Sequence, residues 1–313
     1  MGAPPCIWTF LSSPGESGSF SKSTAKKERG VVEIPDITIE AVIARYGVLL
    51  FDAYGVLIDA AGPLAGAVGL LRKLNRLGKP YYILTNDASQ LPPTAARKYH
   101  TYGLAVDPER IVTSGELLTA HFADHRLTGA RCVVLGPADT TRYVELAGGR
   151  PVALGDPFEV LVMGDDAGFP LRDTMDMLLT VLFQKLDRQE RVHLVLPNPD
   201  LIYPAGEHRF RMASGSLALI LEAALQLRYP DRPDLRFARL GKPNRGIFAE
   251  ALRRSGTRDM VMLGDQLDTD IRGANDFGLD SVLVTTGVGA STMPSLPGHP
   301  RPTYRLRSLA ASG

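Results

Sequence analysis

Only two cysteines, Cys6 and Cys132, occur in the 313 residues, far apart and with no CxxC pair. Neither a zinc site nor a disulfide framework is indicated, and a reducing cytoplasm is the expected location. Cys132 sits in the apolar run "ARCVVLG" and reads as a buried structural thiol. Excess charge is also absent: 35 basic residues stand against 34 acidic ones, a formal net of +1. No Lys/Arg run is long enough to suggest nucleic acid, so any anion site must be local. No apolar stretch approaches the ~18 residues of a membrane span. The N-terminal "CIWTFL" is too short for a signal-peptide core and has no basic region before it. His100, His121, His125, His193, His208 and His299 show no metal-ligand spacing, and no internal repeat is evident.

What is present is the composition of a soluble globular chain, 44% hydrophobic and 22% charged, long enough for two domains. Residues 1–32, with "SSPGESGSFSKSTAKKERG", are polar and rich in Ser, Gly and Lys, and read as a disordered extension. Beyond them, short apolar runs alternate with helix-period segments, the pattern of an α/β fold with a parallel sheet. "GVLLFDAYG" reads as a buried strand ending in a turn. "PLAGAVGLLRKLNRLG" reads as a helix stopped by Gly78. From about residue 130 a second alternation begins, predicting an inserted α/β domain over 128–234 that interrupts a core of 33–127 and 235–313. "RFARLGKP" reads as a strand that resumes the core. "MDMLLTVLF" and "SLALILEAAL" are apolar helices whose default role is packing on the inserted sheet, with a homodimer contact through that domain as their other use.

Polar residues gather just after strands: Asp52 after "LLF", Thr85 and Asn86 after "YYIL", Lys242 after "RFARLG", Asp265 after "VMLG". In a parallel sheet these carboxyl ends share one edge, where open α/β sheets bind ligands. Asp52 and Asp265 offer hard oxygens that suit Mg²⁺. The Thr85 hydroxyl and the backbone N–H groups after it suit an anion, and Lys242 adds a point charge. Together they serve phosphoryl transfer, in which positioning and charge neutralisation provide most of the catalysis.

These segments are similar to the haloacid-dehalogenase-like superfamily, in its class IIA branch of NagD-like and p-nitrophenyl-phosphatase-like proteins. The resemblance rests on "LLFDAYGVL", "YYILTNDAS", "PNPDLIYP" with "ASGSLALILEAAL", "LGKPN" and "LGDQLDTDIRGANDFGLDSVLVTTGV", from about Gly47 to Val288. It implies a Rossmann-like core with a large inserted α/β cap, and a Mg²⁺-dependent phosphatase acting on a small phosphorylated metabolite. Under it Asp52 is the nucleophile that forms an aspartyl-phosphate. Thr85 and the Asn86 amide bind the transferring phosphate, and Lys242 orients it. Asp265 ligates Mg²⁺ with Asp52 and the backbone carbonyl of Tyr54, and Asp270 supports the metal shell. Asn198 and Asp200 of the cap face the substrate.

One position departs from the pattern. Where family phosphatases carry a second aspartate as acid and base, this chain has Tyr54. A phenol with a pKa near ~10 can donate a proton but is a poor base at neutral pH. A non-catalytic relative that binds a phosphorylated ligand is therefore the competing expectation. "DAYG" also resembles the start of the 2-haloacid dehalogenases, but Asp265 and Asp270 would leave uncompensated charge beside the nucleophile of a metal-free enzyme. Asp87 is a candidate for the missing proton-transfer group, against a role in shaping its own turn. Lys185, the one cap lysine that stands out for phosphonate chemistry, falls on a periodic helix and reads as solvated. Arg209 and Arg211 also read as solvated, with contact to an anionic substrate from the cap as their other use.

Overall fold

The computed structural model describes residues 34–205, 209–285 and 300–310. The N-terminal extension, His208, His299 and most of the "MPSLPGHPRP" stretch lie outside the described residues. The chain opens with α1 (Ile39–Arg45) and β1 (Val48–Phe51), then α2 (Ala67–Leu77), β2 (Tyr81–Thr85), α3 (Pro92–Thr101) and β3 (Ile111–Thr113). Next come α4 (Leu117–Asp124), β4 (Arg131–Leu135), α5 (Ala138–Leu146), β5 (Arg150–Pro151), β6 (Val160–Met163), α6 (Leu171–Asp187) and β7 (His193–Leu196). A hairpin of β8 (Ile202–Pro204) and β9 (Phe210–Met212) precedes α7 (Ser214–Arg228) and β10 (Ala238–Arg239). The described chain closes with α8 (Arg245–Ser255), β11 (Met260–Gly264), α9 (Arg272–Phe277), β12 (Asp280–Val284) and β13 (Tyr304–Leu306).

The strands form a six-stranded sheet ordered β13-β12-β11-β1-β2-β3 and a five-stranded sheet ordered β10-β7-β6-β4-β5. Every pairing within both is parallel. This is the Rossmann-like core with an inserted α/β cap that the resemblance implies. Strand periodicity explains the layering, because successive side chains point to opposite faces. Leu49 and Phe51 join Leu70, Leu71 and Leu74 of α2 and Tyr99 of α3 on one face. Val48 and Leu50 join Ile247 and Phe248 of α8 and Phe277 of α9 on the other. Each such side chain contributes about 1.5–3 kcal/mol when fully buried. A continuous apolar run is what a strand covered on both faces requires. The α2 stop is as expected: Gly78 takes φ +62 and its N–H caps the Asn75 and Leu74 carbonyls.

The second sheet is covered the same way. Leu178 and Leu182 of α6 and Leu217 and Leu221 of α7 pack on one face, while Phe122 of α4 and Tyr143 and Val144 of α5 pack on the other with the buried Cys132. Met177, Leu219 and Ile220 stay exposed on α6 and α7. Two readings shift. "RFARLGKP", taken as a core strand, contributes the two-residue β10, which pairs with β7 in the second sheet, so that sheet runs past residue 234. Lys185, taken as solvated, is buried: its ammonium pairs with Glu190 at 2.6 Å and lies 4.9 Å from the Phe158 ring centre. Its aliphatic stem has the helix's inward face, and the charge finds a carboxylate at the rim. Among the described residues, no helix is long and apolar enough to cross a membrane.

Candidate active site

Register assembles the site. Phe51 lies opposite Leu263 of β11 and Ile83 of β2, so Asp52, Asp265, Thr85 and Asn86 emerge together at one sheet edge. Asp52 is tied there by its backbone N–H to the Leu263 carbonyl at 2.9 Å. The turn after it needs Gly55, whose φ is +92 and whose missing Cβ leaves space for the Asp265 carboxylate. Asp270 reaches the same place from a π-helical turn over Leu267–Ile271, with its Oδ2 accepting the Gln266 N–H at 3.1 Å. Asp52, Asp265 and Asp270 are all buried, and each offers a carboxylate oxygen within 4.8 Å of the others.

Lys242 arrives from the cap side, after β10, and not at the end of a core strand. Its Nζ lies 2.5 Å from Asp52 Oδ1 and 2.7 Å from Asp270 Oδ1, and donates to the Leu84 carbonyl at 2.9 Å. Burial alone would lower its pKa, but the carboxylates of Asp270, Asp52 and Asp200 raise it, so it stays an ammonium. Burial in turn pushes the Asp52 carboxyl up, against the pull of Lys242.

Asn86 fastens core to cap with its whole side chain. Its Nδ2 donates to Asp200 Oδ1 at 2.8 Å and to the Lys242 carbonyl at 3.1 Å, while its Oδ1 accepts the Lys242 N–H at 2.7 Å. Its carbonyl accepts the Ser114 hydroxyl at 2.6 Å. Asp200 is half-buried, and its partial removal from water pushes its carboxyl to about 6. Asn198 Oδ1 accepts the Asp200 N–H at 3.0 Å and shapes that cap loop. The Thr85 hydroxyl accepts the Asp87 N–H at 3.2 Å.

These residues line a cavity of about 240 Å³ shared by Asp52, Tyr54, Thr85, Asn86, Asn198 and Asp200. Asp265, Asp270 and Lys242 are buried close to Asp52 and do not line it. Tyr54 is held by two neighbours: its phenol oxygen accepts from Lys98 Nζ at 2.7 Å, and its ring meets Tyr203 edge-on with centres 5.7 Å apart. Burial first, then Asp87, keeps its pKa above the usual phenol value. Asp87 spends Oδ1 on the N–H and hydroxyl of Ser89, both at 2.6 Å, the turn-shaping role, while also facing the cavity. Asp59 likewise closes its own turn, accepting from the Ala61 and Gly62 N–H groups, and caps no helix. Arg211 lines the cavity while staying exposed on β9.

The sequence reading passed over Asp165, Asp166, Tyr203, Gln266 and Lys98. Asp165 and Asp166 directly follow "VLVMG", the same acidic-turn signal that marked Asp265. Burial pushes Asp165 to about 7, with Asp166 and Asp87 adding to the rise. Tyr203 comes from the hairpin, opposite Arg211, and nothing local in the sequence foretells its contact with Tyr54.

The haloacid dehalogenase-like hydrolase family matches residues 49–150, and a second family of the same kind matches 239–312. The glycerol-3-phosphate phosphatase of Gallus gallus is 30% identical over 276 residues, covering 84% of this chain and 86% of that one. A structure described as a possible sugar phosphatase from Cytophaga hutchinsonii aligns with a TM-score of 0.76 at 28% identity, over 90% of this chain and all of the other. A glycerol phosphate phosphatase from Mycobacterium tuberculosis, solved in complex with magnesium and also with calcium, aligns to the magnesium form with a TM-score of 0.70 at 26% identity over 86% of this chain and 76% of that one. The chain belongs to the haloacid dehalogenase-like hydrolases.

Proposed function

We propose that this protein is a Mg²⁺-dependent phosphatase that hydrolyses a small phosphorylated metabolite through an aspartyl-phosphate on Asp52. The observation that carries the reading is the buried trio of Asp52, Asp265 and Asp270, with the Lys242 ammonium close to Asp52 and Asp270 among the described residues. Three carboxylates against one ammonium leave negative charge that a dication would balance. Oxygens no more than 4.8 Å apart can share one hard ion at ~2.0–2.6 Å. Asp52, Asp265 and the Tyr54 carbonyl would hold it, with Asp270 supporting. Once bound, the ion supplies charge neutralisation for a phosphate group. The names of the relatives, phosphatases of glycerol phosphates and sugars, support a small hydroxylated substrate.

In this reading Thr85 and the Asn86 backbone N–H receive the phosphate, since the Asn86 side chain is already committed to Asp200 and Lys242. Lys242, on Asp52 Oδ1, fixes the carboxylate for attack on phosphorus. As the phosphorus–ester oxygen bond breaks, the leaving oxygen takes a proton, for which the neutral Tyr54 phenol is placed in the cavity wall. Water then displaces phosphate from Asp52 and restores the carboxylate. Its raised pKa makes Tyr54 a reluctant donor in the first step, and the phenolate left by that transfer would recover its proton from the attacking water. Losing a general acid or base typically costs ~10²–10⁴-fold, so turnover is slowed and not abolished.

That same replacement supports a second reading, a phospho-ligand-binding relative with little turnover. One assay separates them: a panel of phosphate esters with and without Mg²⁺, on wild type and Asp52→Asn. Metal-dependent phosphate release that disappears in the variant supports the phosphatase. Tight ester binding without release overturns it in favour of the binder, and halide release without metal would support a dehalogenase, against which the Asp265–Asp270 pair argues.

A further inference from the structure

The charges around the cavity fall into two groups. Asp52 responds to Lys242, Asp270 and Asp200, the groups assigned above to phosphate and metal. Asp165 responds instead to Asp166 and Asp87, and Tyr54 to Asp87 and Asp165. These three carboxylates line the same cavity as Asp52, Tyr54 and Tyr203, so the alcohol portion of a phosphoester seated at Asp52 would share the cavity with them. Among the described residues, two cations stand near them. Burial raises the Asp166 carboxyl, and Arg211, which lines the cavity, pulls against that rise, so its charge is partly shared with that carboxylate. Lys98 is held on the Tyr54 phenol oxygen. Carboxylates outnumber cations even with both counted.

We propose that Asp87, Asp165 and Asp166 make the cavity a charge filter, which rejects phosphoesters whose leaving group carries a carboxylate and accepts those bearing hydroxyl or ammonium groups. The inference rests on the proposed function only for the placement of phosphate at Asp52. Asp87 and Asp165 each have an oxygen engaged by the backbone of their own turn, Ser89 N–H and Ala167 N–H, which fixes the carboxylates in the wall. A second anion entering a 240 Å³ space would meet them with little water between. Rejection by like charge discriminates without a dedicated contact to the accepted ligand. Asp165 rises to about 7 chiefly because burial disfavours its charge, and the neighbouring Asp166 and Asp87 add to the rise.

Three phosphonates of matched length, which resist hydrolysis, test the filter: 3-aminopropyl-, 3-hydroxypropyl- and 2-carboxyethylphosphonate. Their binding to the wild-type protein with Mg²⁺ is measured by calorimetry at about pH 8, above the raised pKa of Asp165. The carboxylate compound should bind at least about tenfold more weakly than the hydroxyl compound, and the amine no more weakly than the hydroxyl. In Asp165→Asn with Asp166→Asn the carboxylate penalty should shrink by about tenfold or more, while Asn keeps the Asp165 turn bond to Ala167. Equal or tighter binding of the carboxylate compound by wild type overturns the filter. A penalty that is present but unmoved in the double variant overturns the assignment to these residues. A separate phosphate-release assay on p-nitrophenyl phosphate tests the catalytic reading: no release with the binding order intact defeats the phosphatase and leaves the filter standing. No binding by any of the three removes the phosphate end on which both rest.

Discussion

Lys98 and Tyr54 form a pair that joins the first turn of the core to α3: the lysine Nζ donates to the phenol oxygen at 2.7 Å and lies 5.2 Å from the ring centre. The position that the family resemblance reserves for a carboxylate therefore already has an ammonium beside it. Tyr54→Asp would regain an acid and base with Lys98 as its partner. On alkyl phosphates, whose alkoxide needs a proton, turnover should rise by ~10²–10⁴-fold. On p-nitrophenyl phosphate, with its good leaving group, the rise should be much smaller. A comparison of kcat across leaving groups of graded pKa checks this, and an equal rise on all of them would contradict it.

Lys242 is the ammonium closest to both Asp52 and Asp270 and is almost wholly buried. Lys242→Met keeps volume and removes the charge. Breaking a buried ion pair from one side costs about 3–5 kcal/mol, because the partner charge is left uncompensated. Urea denaturation without metal should show that loss, and Mg²⁺ should restore more stability to this variant than to the wild type. A variant as stable as wild type without metal would show that the carboxylates are neutralised by other means.

Metal should also stabilise the unaltered protein. A ligand bound by the folded chain alone adds about 2.7 kcal/mol when present at about 100 times its Kd. Mg²⁺ should raise the Tm, a chelator should reverse the rise, and Asp265→Asn should blunt it. Equal Tm values with Mg²⁺ and with chelator would argue against an ion shared by Asp52, Asp265 and Asp270.

How the site was legible follows from where each residue sits. Asp52, Thr85 and Asp265 directly follow apolar runs that can only be buried strands, and parallel pairing then brings the strand ends together. Lys242 was legible as a site residue, but the route was not. Its preceding strand is two residues long and pairs with the cap, and a short apolar run does not reveal which sheet will take it. Asp165 and Asp166 carried a readable signal, an acidic turn after "VLVMG", yet nothing in the run says that the cap sheet's edge would face the core's cavity. The Lys98–Tyr54 and Asn86–Asp200 contacts span 44 and 114 residues and have no local period to betray them. Lys185 misled because helical spacing identifies a face and not the depth of its neighbours.

Asp165 gives a pH test that needs no substrate. Burial, with Asp166 and Asp87, raises its folded pKa from 3.8 to about 7. Between those values the folded chain keeps a proton that the unfolded chain has released, so this group's contribution falls as pH rises. Asp165→Asn removes the titration while retaining an oxygen for the Ala167 N–H. The variant's stability relative to wild type should therefore grow between about pH 4 and pH 8, by on the order of 2 kcal/mol once the residual solvent contact of Asp165 is allowed for. His121 titrates in the opposite sense: burial, with His125 and His193, lowers it from 6.5 to about 4, so its contribution is lost as pH falls through that range. Both proteins carry His121, and taking the difference between their urea midpoints across pH cancels it. A difference that stays flat over that range would show that Asp165 is ionised in the folded protein at ordinary carboxylate pH, with its charge compensated in place.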